Sequence, residues 1–319
     1  MFGNLLDDAL TKKVSKSSAS VPYNSYEYQF SLASTKPYHE TEVAFESHAG
    51  HIVVKANLAG QWIEALVDTG ARDIMWQHLP LLGSPTQQGF SFPHTYGRQV
   101  LAEFDVLPSV QIGGYRLIKP ASVYLATDEA ALIYTDDGKP LQVMLGNYAF
   151  KNIVLTIDYQ RKKLIFRDPE YNLTQQHRRP QDCVLDFIAG GDAVKYSPEF
   201  LTVRGTVEGI PVPFVLDTGH YTNCILLSHP LRQRLTAVKQ GAIQRSRIIM
   251  TGQPITEMTR PLHWALGNLR GQCPGATIKM RPDWQAIIGY GILKDYRLTI
   301  DYSRSKVLLE PYPISDANH

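Results

Sequence analysis

The sequence is poor in the features that would announce several common functions. Three cysteines, Cys183, Cys224 and Cys273, are spread over the chain with no Cys-x-x-Cys pair. That count and spacing exclude a disulfide framework and a zinc site, and imply buried thiols. Neither charge sign is in excess: 32 Lys+Arg stand against 30 Asp+Glu, for a net charge of +2. Such a balance gives no electrostatic case for nucleic acid or an anionic membrane as partner. No apolar run approaches the length of about 18 residues that a spanning helix needs. The ten histidines form no His-Glu-x-x-His, and phosphate-loop, dinucleotide and serine-hydrolase signatures are also missing. No metal or cofactor is therefore expected. Charged residues make up 19% and apolar residues 44% of the 319 positions, the composition of an ordered globular chain, and the length suits two domains of about 150 residues each.

What is present is repetition. Residues 52–70 read IVVKANLAGQWIEALVDTG and residues 201–219 read LTVRGTVEGIPVPFVLDTG. The two align without a gap, sharing Val54/Val203, Gly60/Gly209 and the final Asp-Thr-Gly. A second pair of blocks, 146–166 and 289–309, is identical at nine of 21 positions, including Leu-Thr-Ile-Asp-Tyr. The same order at nearly the same offset indicates a copied domain. Short runs of β-branched and aromatic residues between turn pairs predict strands at 52–58, 63–67, 107–112, 121–126, 153–158 and 163–167. Counterparts are predicted at 200–207, 212–216, 277–280, 297–301 and 306–310. Helix is expected only near the N-terminus, at 230–238, and for a turn after Gly146 and Gly289. The chain divides into an extension (1–45), a first lobe (46–168), a link (169–198) and a second lobe (199–319).

Each Asp-Thr-Gly closes an apolar strand, so an acid stands where a buried strand emerges. A unit packed on its own copy about a pseudo-twofold axis brings equivalent residues together. Asp68 and Asp217 meeting there would share one proton, one acting as base and the other as acid. Gly70 and Gly219 let backbone N–H groups approach the carboxylates. Thr69 and Thr218 are placed to send hydroxyls across the axis. Asp-Thr-Gly is also a good turn sequence, and the repeated Asp158 and Asp301, each before a Tyr-x-Arg-x-Lys turn, read as structural.

Val-Asp-Thr-Gly-Ala (67–71), Leu-Asp-Thr-Gly-His (216–220), Met144-Leu145-Gly146 and Ile287-Ile288-Gly289 together resemble the retropepsin/pepsin clan of aspartic proteases. The resemblance covers about residues 46–311 and looks like a bacterial-type single chain with two fused lobes. It implies an all-β, bilobed acid-protease fold of two duplicated retropepsin-like β-barrel lobes. It further implies an aspartic endopeptidase acting on a polypeptide substrate, with its active site inside a monomer. Family members cover the cleft with hairpin flaps, for which Tyr96-Gly97 and Thr251-Gly252 are the candidate tips. Ala71 fits the family, whereas His220 departs from its usual Ala, Ser or Thr. Pointing away from the dyad, His220 would be harmless; pointing inward, its cation would weaken proton sharing. The alternative function is a catalytically inactive peptide-binding or scaffold protein of the same fold. As written the chain carries no signal peptide, which reads as cytoplasmic; a trimmed form would be periplasmic or secreted.

Neither Ala71 nor His220 supplies a hydroxyl to an ionised carboxylate, a contact that would depress its pKa. Activity is therefore expected nearer weakly than strongly acidic pH. A bell-shaped rate profile centred below about pH 3 would contradict this assignment of pKa control.

Overall fold

The computed structural model describes residues 28–30, 36–58, 60–71, 74–77, 90–93, 99–106, 109–117, 122–126, 133–134, 140–141, 143–151, 153–175, 178–188, 200–220, 224–238, 244–248, 254–258, 261–279 and 286–313. The protein is all-β, with two large sheets and few helical turns. The N-terminal amphipathic segment and the candidate flap tips Tyr96, Gly97, Thr251 and Gly252 lie outside the described residues.

Around each Asp-Thr-Gly the strands pair in the same order. In the first half, His51–Leu58 and Gln61–Val67 form an antiparallel hairpin. Val143–Leu145 runs parallel to Gln61–Val67 and antiparallel to Ile74–Gln77. Ser122–Ala126 lies parallel to Ile74–Gln77 and antiparallel to Gln99–Val106, which pairs with Phe90–Pro93. In the second half, Thr202–Val207 and Ile210–Leu216 form the hairpin. Ala286–Ile288 is parallel to Ile210–Leu216 and antiparallel to Ile225–Ser228. Ala276–Lys279 is parallel to Ile225–Ser228 and antiparallel to Pro254–Met258, which pairs with Gln244–Ile248. The second strand of each hairpin begins with partly or fully exposed positions around one buried residue, Ile63 or Val212, and ends in a wholly buried run, Ala65–Val67 or Phe214–Leu216. That pattern lets the outer end meet water while the inner end enters the core. The turn Glu208-Gly209 has φ values of 51° and 77°, the left-handed pair a two-residue hairpin requires and the reason glycine follows Glu208.

A six-stranded antiparallel layer joins the halves, in the order Glu40–Ala44, Lys163–Arg167, Val154–Asp158, Tyr296–Asp301, Lys306–Pro311, Cys183–Ile188. Its two central strands come one from each repeated Leu-Thr-Ile-Asp-Tyr block. Their register runs from Val154↔Asp301 to Asp158↔Arg297 and is centred on Thr156↔Thr299. There the two buried hydroxyls hydrogen-bond at 2.9 Å. The outermost strands come from the stretches read as extension and link, so both stretches contribute to this layer. One apolar cluster runs continuously through both halves, from Phe45 to Leu309. Asp158 and Asp301 have the structural role expected of them: each is buried and accepts from the turn N–H three residues on, Arg161 at 2.9 Å and Arg304 at 3.0 Å.

The predicted helix at 230–238 is present as His229–Val238, with Pro230 in its first turn and Leu231 and Leu235 buried one turn apart. Asn147–Ala149 and Tyr290–Leu293 supply the single turns after Gly146 and Gly289. One expectation is overturned. Cys224 and Cys273, read as separate thiols, form a disulfide with Cα atoms 5.7 Å apart, and only Cys183 remains a buried free thiol. The parallel pairing Ile225↔Ala276 brings the two cysteines side by side across 49 residues, a proximity that linear spacing does not encode.

Closing a loop of that length restricts the unfolded chain enough to stabilise the fold by about 2–4 kcal/mol. The double variant Cys224→Ala/Cys273→Ala should therefore unfold at lower urea concentration, with an m-value equal to or larger than that of wild type because its unfolded chain is freer to expand. An unchanged midpoint would show that the bridge is not formed in solution.

Candidate active site

The two Asp-Thr-Gly segments face one another at the centre of the molecule. Each is held by the strand that ends in its own glycine motif. Asp68 N–H donates to Leu145 O at 3.0 Å, and Asp217 N–H donates to Ile288 O at 2.9 Å. Past the glycines the same arrangement recurs: Asn147 N–H donates to Ala71 O at 3.0 Å, and Tyr290 N–H to His220 O at 2.9 Å. Both loops are thus clamped on two sides by main-chain bonds.

Across the centre the threonines exchange four bonds. Thr69 N–H donates to Thr218 Oγ1 and Thr218 N–H to Thr69 Oγ1, both at 3.0 Å. Thr69 Oγ1 donates to Leu216 O at 2.7 Å, and Thr218 Oγ1 donates to Val67 O at 2.8 Å. Both threonines are fully buried, where an unmade bond would cost more than the bond contributes. A Cβ on Gly70 would overlap the Asp217 carboxyl, and one on Gly219 would overlap that of Asp68. The missing side chains are what let each loop reach the other's acid.

The expected dyad residues are accordingly brought together. Gly70 N–H donates to Asp68 Oδ1 at 2.8 Å and Gly219 N–H to Asp217 Oδ1 at 2.9 Å. The two carboxyls hydrogen-bond to each other. Both residues keep some exposure, yet the Asp68 carboxyl is enclosed, and burial raises its pKa well above the usual carboxylate value. The Asp217 charge and the hydrogen bond that protonated Asp68 donates to Asp217 push the same way, while the N–H groups of Gly70 and Ala71 oppose them. Two acids so placed hold one proton between them, setting a basic oxygen beside an acidic hydrogen. That pair can take a proton from water and give one to a carbonyl oxygen.

His220 is buried, with its ring Cδ2 against Gly289. Strands flank both expected flap tips, with Pro93↔Gln99 and Ile248↔Pro254 as the last pairs before them. Among the described residues no cluster of three or more His, Cys, Asp or Glu could hold a metal ion. No helix among them is long and apolar enough to cross a membrane.

Sequence reasoning missed Asn147 and Tyr302. Asn147 is buried, donates from Nδ2 to Thr69 O at 2.9 Å and accepts from Tyr302 OH at 2.7 Å. Position within the repeats was the available signal, since Asn147 directly follows Gly146 and Tyr302 ends Leu-Thr-Ile-Asp-Tyr. Comparison of the chain with protein-family models and with curated proteins found no match.

A carboxyl whose pKa is raised on folding keeps its proton where the unfolded chain, at about pH 3.9, releases it. Its stabilising contribution is therefore lost as pH rises from that value through the raised native range. Removing the facing charge with Asp217→Asn should flatten this decline. Urea midpoints measured from pH 4 to 7 should converge with wild type at the acidic end and exceed it at neutral pH; parallel curves would contradict the electrostatic account.

Proposed function

We propose that the chain is an aspartic-type endopeptidase in which Asp68 and Asp217 share one proton and activate a water molecule. The observation that carries this reading is the reciprocal threonine exchange, which holds the two carboxyls in hydrogen-bond contact. In the monoanionic dyad, the ionised carboxylate removes a proton from water as its oxygen attacks the peptide carbonyl carbon. The protonated partner donates to the carbonyl oxygen, and the pair then returns a proton to the departing amine. No covalent enzyme intermediate is involved. Acyl transfer of this kind needs a dry, extended binding cleft, the role assigned to the hairpins that lead to Tyr96-Gly97 and Thr251-Gly252.

The bilobed architecture of two duplicated lobes belongs to the same proposal, supported by the recurrence of strand pairing around both acids. Both acids lie on one chain, so the reading needs no second copy. The Cys224–Cys273 disulfide supports a periplasmic or secreted setting over the cytoplasmic one, because such bonds persist in oxidising compartments. The second reading, an inactive peptide-binding scaffold, rests on the unusual His220 beside the dyad.

Cleavage of unfolded casein should fall by about a thousandfold or more in Asp68→Asn and in Asp217→Asn, the range expected when a member of a concerted acid–base pair is lost. Wild-type activity per molecule should stay constant on dilution. Equal turnover in all three proteins would remove the peptidase reading, and peptide binding without turnover would favour the scaffold.

A further inference from the structure

The two halves of the site differ in what stands behind the glycine peptides. Thr69 C=O and Gly70 N–H belong to the same peptide group. Its oxygen accepts from Asn147 Nδ2 at 2.9 Å, and its N–H donates to Asp68 Oδ1 at 2.8 Å. Asn147 Oδ1 accepts in turn from Tyr302 OH at 2.7 Å. Tyr302 sits at the end of the central strand pair that joins the halves, and burial keeps its hydroxyl protonated, hence a donor. A hydrogen bond to a peptide oxygen polarises that peptide and strengthens donation from its N–H. The chain Tyr302–Asn147–Thr69/Gly70 therefore ends on an Asp68 oxygen.

On the Asp217 side the matching parts do not connect. The position equivalent to Asn147 is Tyr290, and the equivalent of Tyr302 is Tyr159. The Tyr290 ring packs on Gly50 and meets Tyr159 edge-on, with centroids 5.9 Å apart. Tyr290 carries no amide that could donate to Thr218 O, and the buried Tyr159 hydroxyl has no hydrogen-bond partner among the described residues. Gly219 N–H donates to Asp217 at 2.9 Å, with Tyr290 standing in the position from which Asn147 reaches Thr69 O.

We propose that Asn147 and Tyr302 are positioning residues that hold and polarise the Thr69–Gly70 peptide, so that its N–H stabilises negative charge on Asp68 against the facing carboxyl. This rests on the peptidase reading for its kinetic consequence, though not for its electrostatic one. The titratable groups around the pair are Asp217, which faces Asp68; Tyr159, which faces Asp217 with Tyr290 and Tyr312 beside it; and His220, packed on Gly289. None of them occupies the Tyr302–Asn147 connection.

Tyr302→Phe removes one oxygen and keeps the ring. Weaker donation from Gly70 disfavours the carboxylate, so the acid limb of the kcat/KM profile should rise by about half a pH unit, with kcat/KM about threefold lower at the optimum. Asn147→Leu should move the limb further. Tyr290→Asn gives the Tyr159 hydroxyl an acceptor and Thr218 O a donor, and should lower the alkaline limb. The same shifts should appear in carbon-13 NMR titration of the aspartate carboxyls, a readout that needs no turnover and survives failure of the peptidase reading. A Tyr302→Phe protein that unfolds like wild type and titrates with unmoved limbs, whether or not its rate drops, overturns the proposal. So does an Asn147→Leu protein in which only KM or stability changes.

Discussion

The structure depends on the exchange of hydrogen bonds between Thr69 and Thr218. Each hydroxyl accepts from the opposite threonine's N–H and donates to a carbonyl at the end of the opposite hairpin strand. Two loops from distant parts of the chain are thereby fixed to about the precision of a hydrogen bond. With both residues excluded from water, the four groups have no alternative partner, and breaking one bond leaves a buried donor or acceptor unmet.

Bringing two carboxyls together opposes folding, and the rest of the local structure offsets that cost. Hydrogen bonds from Gly70 and Gly219 neutralise part of the charge, and glycine at these positions is required because any side chain would occupy the other acid's place. Below the loops, the buried strands Val143–Leu145 and Ala286–Ile288 hold them through main-chain bonds. The six-stranded layer, zipped at Thr156 and Thr299, keeps the halves from shifting against each other. An electrostatically unfavourable pair is thus held by groups that gain nothing from moving apart.

The symmetry around the acids is incomplete, and the differences are chemical. Ala71 and His220 follow the two glycines; Asn147 and Tyr290 follow the two supporting strands; the Tyr302 hydroxyl is hydrogen-bonded, while that of Tyr159 has no partner among the described residues. Equivalent backbones therefore surround two acids in unequal surroundings. Under the proposed peptidase reading, such inequality suits a pair whose members take different protonation states at one pH.

By itself the sequence determined the β-class, the strands of the repeated blocks, the helix at 230–238 and the two Asp-Thr-Gly segments. Alternation of apolar residues and the position of turn pairs are local properties, and repetition exposes the symmetric partner of any residue already singled out. The tertiary structure alone decided the Cys224–Cys273 bridge, the entry of Glu40–Ala44 and Cys183–Ile188 into the joining layer, and the roles of Asn147 and Tyr302. These depend on which strands become neighbours and on where a side chain ends once they do. Contacts across 49, 127 or 155 residues leave no periodicity in the chain, because the physical quantity that creates them is distance in the folded core rather than spacing along the backbone.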